Sequence, residues 1–208
     1  MLLEMPLVLV MVFFSVVCHE IAHGYTAYRL GDPTAWGMGR LSFNPLVHID
    51  LFGTIILPAL LWLSGSRFLF AWAKPVPVDP RYFKDPRKGM MLVALSGPAT
   101  NLAIAISLSI VLHLAGGFLP GFLCTAMAWA ALINAVLMVF NLLPIPPLDG
   151  SRIVARFLKG RVLWQYMKLE RYGMFIVFGL LFLGVISSIL NPVMIWAVKL
   201  LDIYSYIS

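Results

Sequence analysis

Cys18-His19-Glu20-Ile21-Ala22-His23-Gly24 decides how the rest of this chain is read. It closes a run with no charge between Met5 and Cys18, after which a histidine, a glutamate and a second histidine arrive together. In a helix His19 and His23 are i and i+4, so both imidazoles project from one face about one turn apart. Glu20 falls on the adjoining face, near enough to hold a water without being a ligand itself. H-E-x-x-H is the pattern of zinc peptidases, with two histidine ligands and a glutamate general base. Such short matches also arise by chance in soluble helices. Ionisable groups at bilayer depth, however, cost about 2.5–3.5 kcal/mol each on insertion scales and are seldom carried without a function. Three of them at ligand spacing point to a metal.

Composition sets the surroundings. Of 208 residues, 61% are hydrophobic and 12% charged, and the mean hydropathy is +0.93. This predicts an all-α polytopic membrane protein forming one intramembrane domain over 1–208, with no room for a sizeable soluble one. The N-terminal run lacks a basic n-region and a small-residue cleavage site, so a retained transmembrane helix is expected there, not a signal peptide. Cys18 and Cys124 are too few for a disulfide framework. Cys18 points about 100° away from His19 around the helix and is expected to be a packed thiol. The net charge of +6 is read as marking cytoplasmic loops, with no nucleic-acid partner.

Along the chain, a first helix is predicted from about Met5 to Tyr28, stopped by Gly31-Asp32-Pro33. Gly39-Arg40-Leu41-Ser42-Phe43-Asn44-Pro45 looks like a short strand closed by a turn. Leu51 to Trp62 is apolar, but it is short for a span and Pro58 interrupts it, so the 51–66 run reads as re-entrant or interfacial; were it to cross completely, the N-terminus would be cytoplasmic. Ala73-Lys74-Pro75-Val76-Pro77-Val78-Asp79-Pro80 is too proline-rich for a helix interior and reads as an extended edge segment. Long apolar helices follow from Lys88 to about Leu114 and from Phe122 to Asn141. A basic stretch runs from Ser151 to Arg171, and a last apolar helix from Tyr172 to Leu190 ends at Asn191-Pro192. The fold class is thus a three-helix core, a re-entrant or strand-like segment at 39–80, and additional C-terminal helices.

Basic residues orient it. Arg29, Arg40, Arg67, Lys74, Arg81, Lys84, Arg87 and Lys88 lie in one connector, and Arg152, Arg156, Lys159, Arg161, Lys168 and Arg171 in another. The 115–121 turn has none. A multi-pass protein of the cell membrane is expected, with the regions 29–88 and 150–171 cytoplasmic and the N-terminus external.

Asn141-Leu142-Leu143-Pro144-Ile145-Pro146-Pro147-Leu148-Asp149-Gly150 is the other informative stretch. No helix continues through those prolines, so the backbone opens at the cytoplasmic end of its helix. Asp149 is well placed there as a third ligand beside His19 and His23; the plainer alternative is that it caps a helix starting near Ser151. Depth favours the ligand, since the two histidines lie roughly 10–15 Å in from the cytoplasmic end of the first helix.

Taken together, HEIAH in a first transmembrane helix, Ser96-Gly97-Pro98-Ala99-Thr100-Asn101 in a middle one and NLLPIPPLDG closing a third resemble the site-2 protease family of intramembrane zinc metalloproteases. GRLSFNP and KPVPVDP resemble its compact prokaryotic branch. The likeness covers roughly residues 5–155 and leaves 156–208 as further helices without a transferable motif. It implies a catalytic core with one Zn2+ per chain on His19, His23 and Asp149, and Glu20 as base. The substrates it implies are transmembrane segments of other proteins. A PDZ or CBS-like module, present in some relatives, is not expected.

Other polar residues admit two readings each. Asn141, beside the proline opening, suits contact with substrate backbone or an interhelical hydrogen bond. Asn101 is a second candidate for substrate contact, although Gly97 and Ala99 beside it favour helix packing; Asn134 and Asn141 share one helix face. His48 fits a gating or substrate-side role, or a plain loop histidine. The segments near 40–45 and 74–79 are candidates for pairing with an extended substrate. Two alternatives remain: a catalytically inactive zinc-binding scaffold, in which Glu20 would serve no purpose, and a metal transporter, which would want polar groups through the external half. Oligomeric state is left open.

Overall fold

The uncharged run that ends in the two histidines forms one continuous helix, α1 (Glu4–Arg29). The computed structural model describes residues 4–65 and 72–207, without the side chain of Trp62; Ser66 and Arg67 lie outside it. After α1 come a single turn, α2 (Thr34–Gly37), and a 3-10 turn at Pro45–His48. A π-helical turn at Leu51–Ile56 then runs into α3 (Leu57–Leu63). The long helices α4 (Pro86–Ala115) and α5 (Gly121–Leu142) follow, then the short α6 (Asp149–Phe157) and α7 (Gly160–Lys168). α8 (Gly173–Phe182), α9 (Val185–Leu200) and α10 (Tyr204–Ile207) complete the chain.

Among the described residues three helical stretches are long and apolar enough to cross a membrane, Glu4–Arg29, Pro86–Phe118 and Gly121–Leu142, and the bent pair Gly160–Phe182 with Val185–Leu200 is so when taken as one span. The three pack on one another, α4 lying between α1 and α5. Small side chains permit the close approach of α4 and α5: Ala105 on one, and Ala128, Ala131 and Ala135 on the other, are buried in one cluster with Leu112, Cys124 and Leu132. The start of α4 is sharply set. Pro86 occupies its first position, and the Asp85 side chain accepts from the N–H groups of Arg87 and Lys88. The backbone N–H of Lys88 holds the Asp85 carboxyl below the usual carboxylate range.

The apolar helix at Leu51–Leu61 is too short to span a bilayer, as the re-entrant reading of 51–66 expects. Among the described residues there is no strand. Residues 39–45 run from a turn through irregular backbone into the 3-10 turn at Pro45, not the short strand expected: Asn44 N–H donates to Ser42 Oγ, and Asn44 Oδ1 accepts from Leu46 N–H, so side chains take the backbone bonds a ladder would need. Residues 72–79 are extended, in keeping with their prolines, but side chains and isolated carbonyls clamp them. Trp72 N–H bonds Gly53 O, Lys74 N–H bonds His48 O, and Arg40 donates to the carbonyls of Lys74 and Pro75.

The C-terminal helices also differ from expectation. The break falls at Gly184 (φ +73°), and α8 and α9 are bent by 69° there. Asn191-Pro192 does not end a helix; Pro192 sits inside α9, although its missing N–H and the crowding of its ring against the preceding turn weaken the helix there.

Candidate metal centre

Each residue of the quoted heptad acquires its environment from another helix. His19 and His23 face α4, and what they meet is a glycine. A Cβ built on Gly97 would lie 2.5 Å from His19 Cε1, from His19 Nε2 and from His23 Cε1. The Gly97-Pro98 stretch is therefore the floor on which both imidazoles rest, and any side chain at 97 would occupy their place.

Hydrogen bonds fix how the two rings are turned. His23 Nδ1 lies 2.7 Å from the carbonyl of Val93, which can only accept, so Nδ1 carries the proton. For His19 the polarity is set through three residues. Asn134 Nδ2 donates to Ala130 O at 2.8 Å and to Ser15 Oγ at 3.0 Å, so Asn134 Oδ1 must be the acceptor for Asn101 Nδ2 at 2.9 Å. That turns Asn101 Oδ1 toward His19 Nδ1, 2.5 Å away, and protonates that nitrogen too. In the neutral imidazole each Nε2 is then the nitrogen left with a lone pair.

Those lone pairs face each other and one carboxylate. The two Nε2 atoms are 2.9 Å apart; Asp149 Oδ2 is 3.3 Å from that of His19, and Asp149 Oδ1 is 3.3 Å from that of His23. Asp149 does not cap α6: Leu148 is the cap residue and no side-chain cap bond forms. Two imidazole nitrogens and a carboxylate this close need positive charge among them, from a proton or from a metal cation. Zinc bonds of about 2.0–2.1 Å give a tetrahedral edge of roughly 3.3 Å; each imidazole-to-carboxylate contact has that length, one to each carboxylate oxygen, while the two Nε2 atoms at 2.9 Å are closer. Nitrogen and carboxylate donors, each imidazole backed by a second hydrogen bond, suit that ion.

Glu20 is in the same cluster, with donor atoms of His19, Glu20 and His23 all within 4.8 Å of one another. Its role separates from that of Asp149 by what holds it: Glu20 Oε2 accepts from Val76 N–H at 2.8 Å, in the extended 72–79 segment. The group opens into a cleft of about 350 Å3, lined on one side by Pro75, Val76 and Val78 and on the other by Asn141, Pro147 and Arg152.

Peptidase family M50 matches the chain over residues 7–122 and 118–184. The chain belongs to peptidase family M50, the site-2 protease family. YwhC of Bacillus subtilis, provisionally named a zinc metalloprotease, is 40% identical over 192 residues, 88% of this chain and 83% of that one. Rip2 of Mycolicibacterium smegmatis, under the same provisional name, is 26% identical over 93% of this chain and 73% of its own length. Zinc metalloprotease MJ0392 of Methanocaldococcus jannaschii is 23% identical over 88% of this chain but only 45% of its own length. No solved structure matches. As an M50 peptidase with three membrane-spanning helices, the chain is a multi-pass membrane zinc metalloprotease, in place of the idle scaffold and the transporter.

The remaining residues singled out from the M50 sequence have different fates. Asn101 has both amide ends engaged, with His19 and Asn134, and turns away from the cleft. Asn141 lines the cleft, its Nδ2 bonded to Leu137 O of its own helix. His48 is fully buried, bonds Ser42 O through Nε2, and is not among the cleft residues. Sequence reading missed Ser15, whose only signal was a polar residue one turn before His19. It also missed Arg152, which reads as one cation of a basic stretch until α6 turns it into the cleft.

Proposed function

We propose that this M50 peptidase is an intramembrane endopeptidase that hydrolyses peptide bonds of transmembrane segments. One zinc would be held by His19, His23 and Asp149, with Glu20 as general base. The observation that carries this is the convergence of two imidazole Nε2 atoms and the Asp149 carboxylate at 2.9 and 3.3 Å, each imidazole turned by a bond on its far nitrogen. Zinc, when bound, polarises the scissile carbonyl and lowers the pKa of water toward about 7. Glu20 Oε1, the carboxylate oxygen not bonded to Val76, takes the proton of the attacking water and delivers it to the leaving amine. Pro75, Val76 and Val78 line the cleft beside it, where a substrate unwound from its helix would lie extended.

The domain is taken as 1–208, its core at 5–155. The cytoplasmic placing of 29–88 and 150–171, with the N-terminus external, is supported by the meeting of the two basic regions at one end of the bundle. There Arg156 lies 3.3 Å from Asp85, and Arg87 donates to Leu158 O at 3.1 Å. The test is Glu20→Gln in the full chain, assayed in lipid against a transmembrane reporter. Zinc content should stay at one per chain while cleavage is abolished; cleavage at the wild-type rate would overturn the assignment.

A further inference from the structure

The chain beyond Arg156 builds a second feature. α7 lies at the end of the bundle where α4 begins and α5 finishes. At 100° per residue, Arg161, Gln165 and Lys168 fall within roughly 60° of one another, and apolar side chains fill the rest of the circumference. Lys159, Arg161, Lys168 and Arg171 are exposed, and no carboxylate pairs with them among the described residues. Two acids of this region are already taken, Glu170 by Arg152 and Asp85 by Arg156. Next to these free cations Phe157 is 73% exposed, and Val162 and Trp164 are each 58% exposed. The Lys168 ammonium sits 3.4 Å from the centre of the Trp164 ring. Uncompensated cations flanking an exposed tryptophan and valine suit a helix lying at the boundary of headgroups and acyl chains.

The same helix is tied to the loop that presents Asp149. Tyr166 donates its hydroxyl proton to the carbonyl of Pro144 at 3.0 Å, and Arg152 on α6 pairs with Glu170 just after α7. At the start of α8, a Cβ on Gly173 would lie 2.4 Å from the carbonyl oxygen of Pro146. Leu143 is buried against Val177 and Ile186. Whatever seats α7 also bears on residues 143–149.

We propose that α7 is a seat for anionic phospholipid headgroups, gripped through Lys159, Arg161 and Lys168, and that their binding steadies the loop carrying Asp149. It rests on the function proposed above only in the meaning given to Asp149. The test therefore uses no proteolysis. The full chain is placed in nanodiscs of phosphatidylcholine, with or without part of it replaced by phosphatidylglycerol. Native mass spectrometry counts retained phosphatidylglycerol, and hydrogen–deuterium exchange follows the amides of Leu143, Ile145, Leu148 and Ser151.

Wild type should retain more phosphatidylglycerol than the triple variant Lys159→Gln/Arg161→Gln/Lys168→Gln. Its loop amides should exchange several-fold more slowly in the anionic discs, a response lost in the triple variant. Tyr166→Phe should keep the lipid and lose the slowing. Equal lipid retention by wild type and the triple variant overturns the seat; slowing that persists in Tyr166→Phe overturns the coupling. A failure to cleave reporters would count against the proteolytic reading and leave both measurements standing.

Discussion

Removing the Asn101 side chain separates what orients the metal site from what holds the helices together. In Asn101→Ala, His19 Nδ1 loses its acceptor at 2.5 Å, and the ring is free to turn or to move its proton to Nε2, the nitrogen the metal needs bare. Loss of such a supporting bond typically lowers metal affinity about 10–100-fold, or roughly 1.4–2.7 kcal/mol at 1.36 kcal/mol per factor of ten. A second cost arises farther along. Asn134 Oδ1, fully buried, loses the Nδ2 donor it had at 2.9 Å, and a stranded buried acceptor costs about 1–3 kcal/mol of stability. The double variant Asn101→Ala/Asn134→Leu removes that stranded acceptor as well. Ser15, which then loses a bond from Asn134, still donates to Met11 O. Zinc affinity is read by competition with a chromogenic chelator at constant pH, and stability by thermal unfolding in the same detergent. Both variants should lose affinity by the same factor, while the double variant regains part of the lost melting temperature. Affinity within about twofold of wild type in either variant would refute the claim that Asn101 sets the His19 tautomer.

Two further outcomes follow from the geometry. Gly97→Ala puts a methyl 2.5 Å from both imidazoles, so purified protein should carry well under one zinc per chain with the helices intact by circular dichroism; full zinc content would show that the rings have room to retreat. Arg40→Ala frees the carbonyls of Lys74 and Pro75 and loosens the Val76 N–H that holds Glu20. The expected result is a fall in kcat of roughly 10–100-fold at unchanged zinc content, and an unchanged kcat would mean that Val76 is positioned without Arg40.

Much of the site was legible before any coordinates because its chemistry conflicts with its surroundings. His19, Glu20 and His23 interrupt an uncharged transmembrane run, and the prolines at 144, 146 and 147 forbid a helix where Asp149 must emerge. The start of the middle helix, read at Lys88, falls two residues earlier, at Pro86, because the Asp85 side chain caps it there. The strand expected at 39–45 failed because Ser42 and Asn44 side chains compete for their own backbone, a contest that composition does not decide. The break expected at Pro192 failed because a glycine eight residues earlier could turn the chain more sharply.

The sequence alone determined a polytopic helical membrane protein with a histidine pair at metal-ligand spacing, since ionisable groups at that depth are seldom carried without a function. Tertiary structure alone decided the rest. It put Asp149 3.3 Å from both imidazoles and tied Glu20 to the N–H of Val76. It also joined Asn101 to the His19 ring on one side and to Asn134 on the other. These are contacts between groups 33 to 130 positions apart in the chain, and no local pattern of residues encodes which of several inward-facing side chains will meet.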